Sequence, residues 1–307
     1  MQDRANRLNW LIFIGLGVMW GSSYLFIKIG VETLTPFTLV ALRLAIGGAL
    51  LAGVLLLAHE PIPRRLGTYG HLVVMSIFNV VLPFSLITWA EQSVASSLAA
   101  VLTATVPLFV IVIAAVALRD EPITVGRVVG LLAGFAGVVV LTGGDPGSGG
   151  TFPAQVALIG ASVSYAIGAV YARRNVHGLR PMVPAAFQVN IAFVISAALA
   201  LAFERPFELS YPPQAWLSVL WIGLLGSGLA YLAFFRLLAT WGATRTSMVA
   251  YVMPVVGIVL GVVFAAESID ARIILGALLI LGGIGLANAR LGNRPLVRRT
   301  PEAEPSL

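Results

Sequence analysis

Apolar residues run along this chain in blocks of about twenty, separated by short stretches that carry most of the Pro and charged residues. The blocks fall at residues 9–30, 36–57, 69–90, 94–118, 124–142, 153–173, 182–203, 214–238, 244–266 and 271–291. About twenty residues of helix cross the roughly 30 Å of bilayer hydrocarbon. No block alternates apolar with polar as a barrel strand must. The pattern predicts ten transmembrane helices, apolar all round because lipid or another helix faces every side. The first block follows Arg4 and Arg7 as a signal peptide would, but its apolar run is too long and no small-residue cleavage site follows, so it is read as a span. Residues 293–307, "NRPLVRRTPEAEPSL", read as a disordered polar tail.

Composition agrees: 59% of the 307 residues are hydrophobic and 10% are charged, which marks an integral membrane protein. A net charge of +6 suggests nucleic acid until the charges are placed. With the N-terminus cytoplasmic, fifteen of the nineteen Lys and Arg fall on the cytoplasmic side, and two, Arg205 and Arg272, on the other. That is the positive-inside bias, so nucleic acid is set aside and both termini are expected in the cytoplasm, the chain being multi-pass in the cell's inner membrane. Cys is absent and the three His are scattered, which leaves no metal site and no thiol nucleophile, and nothing calls for a cofactor.

The chain also repeats itself. "TATVPLFVIVIAAVALRDEPITVGRVVGLLAGFAGVVVL" matches "AYVMPVVGIVLGVVFAAESIDARIILGALLILGGIGLAN", setting Pro107 on Pro254, Glu121 on Glu267, Gly130 on Gly276 and Gly137 on Gly283. Earlier, "WGSSYLFIK" lies over "YAIGAVYAR", which sets Lys28 against Arg173 and Arg43 against Gln188. Five spans per copy make the second copy enter the membrane from the opposite side. The expected fold is all-α integral membrane, ten transmembrane helices as two inverted five-helix repeats around a central cavity. The first repeat is taken as 9–147, the second as 151–292 and the tail as 293–307.

"MWGSSYLFIK", "PFTLVALR", "SSLAAVLTATVPLF" and the "RDEPIT" turn, with the Gly-spaced helix that follows it, are echoed in the second half. In order and spacing they resemble the EamA type of the drug/metabolite transporter superfamily over nearly the whole chain. The resemblance implies a transporter of small organic metabolites, often an exporter of amino acids or related solutes. It also implies that helices 1–4 and 6–9 surround the cavity, with helices 5 and 10 apart as supports.

Polar residues at membrane depth are the candidates for that cavity. Trp20, Tyr24 and Lys28 recur every fourth residue and share one helical face, with Ser23 beside them. Lys28, the only lysine, either snorkels outward or anchors a solute. Arg43 lies about 10 Å along the second helix from Pro36 at 1.5 Å per residue. No helix core carries Asp or Glu, so Arg43 either pairs with Glu32 or Glu91 at the outer helix ends or binds a substrate carboxylate. Asn79, Gln188 and Asn190 are costly to bury. Tyr165, Tyr231 and Tyr251 join Trp20 and Tyr24 in offering apolar faces with a polar handle, suited to an aromatic or amphipathic solute. Pro107 and Pro254 suggest paired hinges or static bends. Glu121 and Glu267 are read as N-terminal charges of the fifth and tenth helices. Gly130 and Gly134 form a GxxxG that allows a homodimer.

An intramembrane enzyme would need a buried Asp pair, a Ser–His arrangement or metal ligands, and no span core carries Asp, Glu or His, the three His mapping to loops or span ends. The expected activity is therefore secondary transport of a small-molecule substrate by alternating access, with a channel or non-transporting scaffold as the alternative. Coupling is expected as facilitated diffusion or exchange, with a proton step at Lys28 as the variant.

Overall fold

The computed structural model describes residues 2–118, 124–142, 152–176, 178–204, 211–242, 246 and 248–288. Ten helices are described: α1 (Gln2–Gly30), α2 (Pro36–Leu57), α3 (Leu66–Ala90), α4 (Ser96–Ala117), α5 (Val125–Thr142), α6 (Phe152–Asn175), α7 (Met182–Phe203), α8 (Pro213–Trp241), α9 (Val249–Ala265) and α10 (Ala271–Asn288). Nine are long and apolar enough to cross a membrane, and the described part of α9 adds a shorter apolar helix of 17 residues. Among the described residues the protein is all-helical, a membrane protein of two inverted five-helix repeats.

Packing follows the repeat. α1 lies on α8 and α9 as α6 lies on α3 and α4, and α2 meets α8 as α7 meets α3. Three contacts pair equivalent helices across the pseudo-axis: α2 with α7, α4 with α9 and α5 with α10. The last pair stands at the edge of the bundle and is held by glycines. A methyl group on Gly130 would overlap the Gly283 carbonyl oxygen, and one on Gly137 would lie 2.8 Å from the Gly276 carbonyl oxygen. Gly134 takes Leu108 of α4. The GxxxG read as a route to a homodimer is thus occupied inside the chain, because these backbones approach too closely for side chains.

Three helices depart from regular α geometry. α4 turns at Ala104 and Thr105, just before Pro107, whose ring cannot donate to the preceding turn and crowds the carbonyl four residues back. Pro254, its repeat partner, sits inside the unbroken α9, so the two prolines do not make matching breaks. α3 and α8 each contain a π-helical stretch, Ile77–Val81 and Trp221–Leu229. Such stretches shift the register of side chains along the helix and recur at functional sites. The first lies just ahead of Pro83 and the second holds Gly223, Gly226 and Gly228.

One end of the bundle carries the α1–α2, α3–α4 and α9–α10 turns and is called here the Lys28 end; the other is the N-terminal end. At the Lys28 end, carboxylates from one repeat cap helices of the other. Glu204 accepts from the Phe37 and Thr38 N–H groups at 2.9 and 2.7 Å and from the Thr38 hydroxyl, closing the start of α2. Glu267 accepts from the Ser96 and Ser97 N–H groups at 2.7 and 3.0 Å and from the Ser96 hydroxyl, closing the start of α4. The assignment of Glu267 to its own following helix is therefore corrected. Asp270 fills that place, accepting from the Ile273 N–H at 2.9 Å, which with Arg272 holds its carboxyl below the ordinary carboxylate value. Glu121 and residues 293–307 lie outside the described residues.

Candidate substrate-binding site

Arg43 is the centre of the polar interior. Its position, two turns into α2, places it among α1, α3 and α8, where only 3% of it is exposed. Nε donates to the Ser227 hydroxyl at 3.1 Å, and Cζ lies 4.1 Å over the Phe84 ring. No carboxylate reaches it: among the described residues neither Glu32 nor Glu91 forms an ion pair with Arg43. The guanidinium interacts electrostatically with Tyr165, Tyr231, Glu91 and Tyr24, and one terminal nitrogen lies beside Gly226. Cation–π contact contributes about 0.5–2 kcal/mol. That offsets only part of the roughly 2.5–3.5 kcal/mol cost of a charge at mid-bilayer.

The α1 face builds the wall beside it. Trp20 Nε1 donates to the Gly226 carbonyl at 3.2 Å, and its ring meets Tyr231 and Phe234 at centroid distances of 6.3 and 5.5 Å. Ser23 turns back to the Met19 carbonyl at 2.8 Å and packs on Gly226, where a methyl would come within 2.7 Å of its oxygen. Tyr24 and Thr103 share a 2.5 Å hydrogen bond that ties α1 to α4. Trp20, Ser23, Tyr24, Arg43, Tyr165 and Tyr231 thus form one cluster. Gly226 and Ser227 complete it through the π-helical stretch of α8, which turns a backbone carbonyl and a hydroxyl toward α1 and α2 at adjacent positions.

The remaining candidates stand elsewhere. Lys28 neither snorkels freely nor enters the cluster: Nζ donates to the Glu91 and Val94 carbonyls at 2.8 and 2.9 Å, fastening α1 to the α3–α4 turn. It lines a groove of about 590 Å³ at that end, with Glu32, Ser93, Phe264 and Glu267. Asn79 packs against Gly168 in the α3–α6 seam. Asn190 donates to the Gly48 and Ala186 carbonyls at 3.2 and 2.9 Å in the α2–α7 seam. Gln188, the repeat partner of Arg43, is buried with its side-chain oxygen unpartnered, while its backbone carbonyl takes the Ser76 hydroxyl. Tyr251 meets Asn288 of α10 at 3.4 Å, outside the cluster.

Ten apolar helices in two inverted repeats, with a buried cation and an aromatic wall inside, define a membrane transport protein. The chain belongs to the EamA-like transporter family, whose model matches residues 8–143 and again 153–289, once in each half. It is 33% identical to the inner membrane transporter YedA of Escherichia coli (strain K12), across 83% of this chain and 82% of that one. It is 26% identical to the transporter YoaV of Bacillus subtilis (strain 168), across 88% and 93%. One solved crystal structure, 24% identical, shares the fold with a TM-score of 0.63 over 92% of this chain and 96% of its own.

Proposed function

We propose that this transporter exports small organic solutes bearing a carboxylate, amino acids and aromatic or amphipathic metabolites foremost, by alternating access through the Arg43 cluster. Arg43 carries the reading: it is buried, has one protein hydrogen bond and a ring contact, and among the described residues no carboxylate stands within ion-pair distance of it. A bidentate guanidinium–carboxylate pair would fill the vacant donors, and Trp20, Tyr24, Tyr165 and Tyr231 would flank an aromatic body. Trp20, Ser23, Tyr24, Arg43, Tyr165 and Tyr231 are the proposed binding residues. Asn79, Gln188, Asn190 and Tyr251 are proposed to line the route or hold its walls, with Lys28 closing one end.

The charge bias supports cytoplasmic termini, which would turn the Lys28 end outward. At that end the start of α4 is buried from Ser96 to Ala104 and packs on α1 as well as on α6 and α9. Among the described residues α9 makes no comparable packing on α6. The state is accordingly read as closed outside and open toward the cytoplasm. The repeats proposed for this motion span 9–147 and 151–292, with 293–307 as a cytoplasmic tail.

A metabolite-resistance screen in cells overproducing the protein tests the reading, followed by efflux from proteoliposomes loaded with the solutes it selects. Wild type is expected to confer selective tolerance and to move those solutes. Arg43→Gln is expected to lower transport about 30- to 150-fold, matching the loss of a charged pair of about 2–3 kcal/mol. Absence of tolerance and flux for every amino acid and aromatic metabolite tested rejects it.

A further inference from the structure

Glu91 lies one residue past the end of α3, in the turn that Lys28 grips, yet none of its surface is exposed. Both carboxyl oxygens are buried without a hydrogen-bond partner. The donors nearby are committed elsewhere: Lys28 Nζ to the Glu91 and Val94 carbonyls, and the Ser96 and Ser97 N–H groups with the Ser96 hydroxyl to Glu267. Thr88, one turn earlier on the same face of α3, is fully buried with an unpartnered hydroxyl.

An ionised carboxylate without donors in a dry site is strongly penalised, so this packing accommodates the neutral acid. Burial pushes the Glu91 carboxyl well above the usual carboxylate range; Lys28 of α1 opposes the shift, Glu267 of the α9–α10 turn adds to it and Arg43 of α2 opposes it. Tyr24 of α1 faces the same space. The other helices on α3 bring no charge here. α7 holds no charged residue, and Arg173 and Arg174 of α6 lie in its last turn, at the N-terminal end.

We propose that Glu91 is a proton-binding site whose occupancy is linked to closure of the Lys28 end, so that pH biases the alternation of the transporter. The proposal rests on the transporter reading above. In the closed state the carboxyl keeps its proton. When the α3–α4 turn leaves α1, water reaches the group, the O–H bond breaks and the proton passes to solvent. The closed state holds the proton more tightly than the open one. Proton-linked closure is therefore fully present below the ordinary carboxylate value and is lost as the pH rises through the raised one.

The chain has no cysteine, so a spin-label pair is introduced cleanly at two exposed turn positions, Thr33→Cys and Gln92→Cys, in nanodiscs. From about pH 5 to about pH 9 the long-distance population is expected to grow, the ratio changing about tenfold for each unit by which the two states' values differ. Glu91→Gln, which keeps the carbonyl that holds Lys28, is expected to stay at the short distance throughout. Infrared spectra of the unlabelled protein are expected to show a protonated-carboxyl band at neutral pH that Glu91→Gln removes. A wild-type distance that ignores pH, a Glu91→Gln protein that keeps the pH response, or no protonated-carboxyl band in wild type overturns the proposal. Neither readout needs a transported solute, so the proton site fails or stands separately from the transport reading.

Discussion

Two seams that the inverted repeat makes equivalent differ in this structure. The start of α4 is packed on α1 by the Tyr24–Thr103 hydrogen bond, by Lys28 on the α3–α4 turn and by the Glu267 cap. The equivalent part of α9 packs on α1, where a methyl on Gly17 would meet Val252, but has no comparable seam with α6 among the described residues. The two ends also differ in chemistry. At the Lys28 end carboxylates take backbone N–H groups at helix starts, which adds helix-terminus stabilisation to charged hydrogen bonds. At the N-terminal end Glu60 pairs with Arg180 at 3.0 Å, and the arginine side chain is 72% exposed. Equivalent backbones are thus packed differently at the two ends, and the polar side chains there differ with them.

The comparison is sharpened by weakening one end at a time. Ser97 is fully buried with an unpartnered hydroxyl, so Ser97→Cys places a near-isosteric probe under the start of α4. Its rate of thiol labelling reports opening of that end. Glu267→Ala removes three hydrogen bonds from the start of α4 and is expected to raise the rate most, about 30- to 150-fold for a net loss of about 2–3 kcal/mol. Lys28→Met removes two charge-assisted bonds to carbonyls but keeps most of the apolar stem. About tenfold is expected, for about 1.5 kcal/mol. Tyr24→Phe deletes one neutral bond, leaves Thr103 its own helix carbonyl at 2.7 Å and is expected to give a few-fold rise, for about 0.5–1 kcal/mol. Arg180→Gln breaks an exposed pair at the opposite end, which contributes under about 1 kcal/mol. The Ser97→Cys rate is expected to stay within about twofold of the parent. A rise with Arg180→Gln as large as that with Glu267→Ala would erase the distinction between the ends.

Much of this architecture was legible in the amino-acid pattern. Ten apolar blocks announced the helices, and the pairing of Pro107 with Pro254 and Gly137 with Gly283 announced the repeat. The four-residue spacing of Trp20 and Tyr24 put them on one wall, where the structure joins them to Arg43, Tyr165 and Tyr231. Ser227 and Gly226 are not legible in the sequence because they lie in a π-helical stretch, where a 3.6-residue period misplaces side chains. Glu267 was assigned to the adjacent helix, whereas its partner Ser97 is 170 residues away in sequence, a distance local rules do not span. Glu91 reads from the sequence as a carboxylate at an outer helix end, a candidate partner for Arg43. Its burial comes from the start of α4 and from Lys28 folding over the turn, both long-range contacts.

The claim that the two seams exchange roles is tested most directly by two single cysteines at repeat-equivalent positions, Thr103→Cys in α4 and Ala250→Cys in α9, labelled in nanodiscs with both faces accessible. Without solute, Ala250→Cys is expected to react and Thr103→Cys to be protected. A transported solute is expected to move the two rates in opposite directions. Rates that rise or fall together, or that do not respond to any transported solute, would contradict alternating access through the Arg43 cluster.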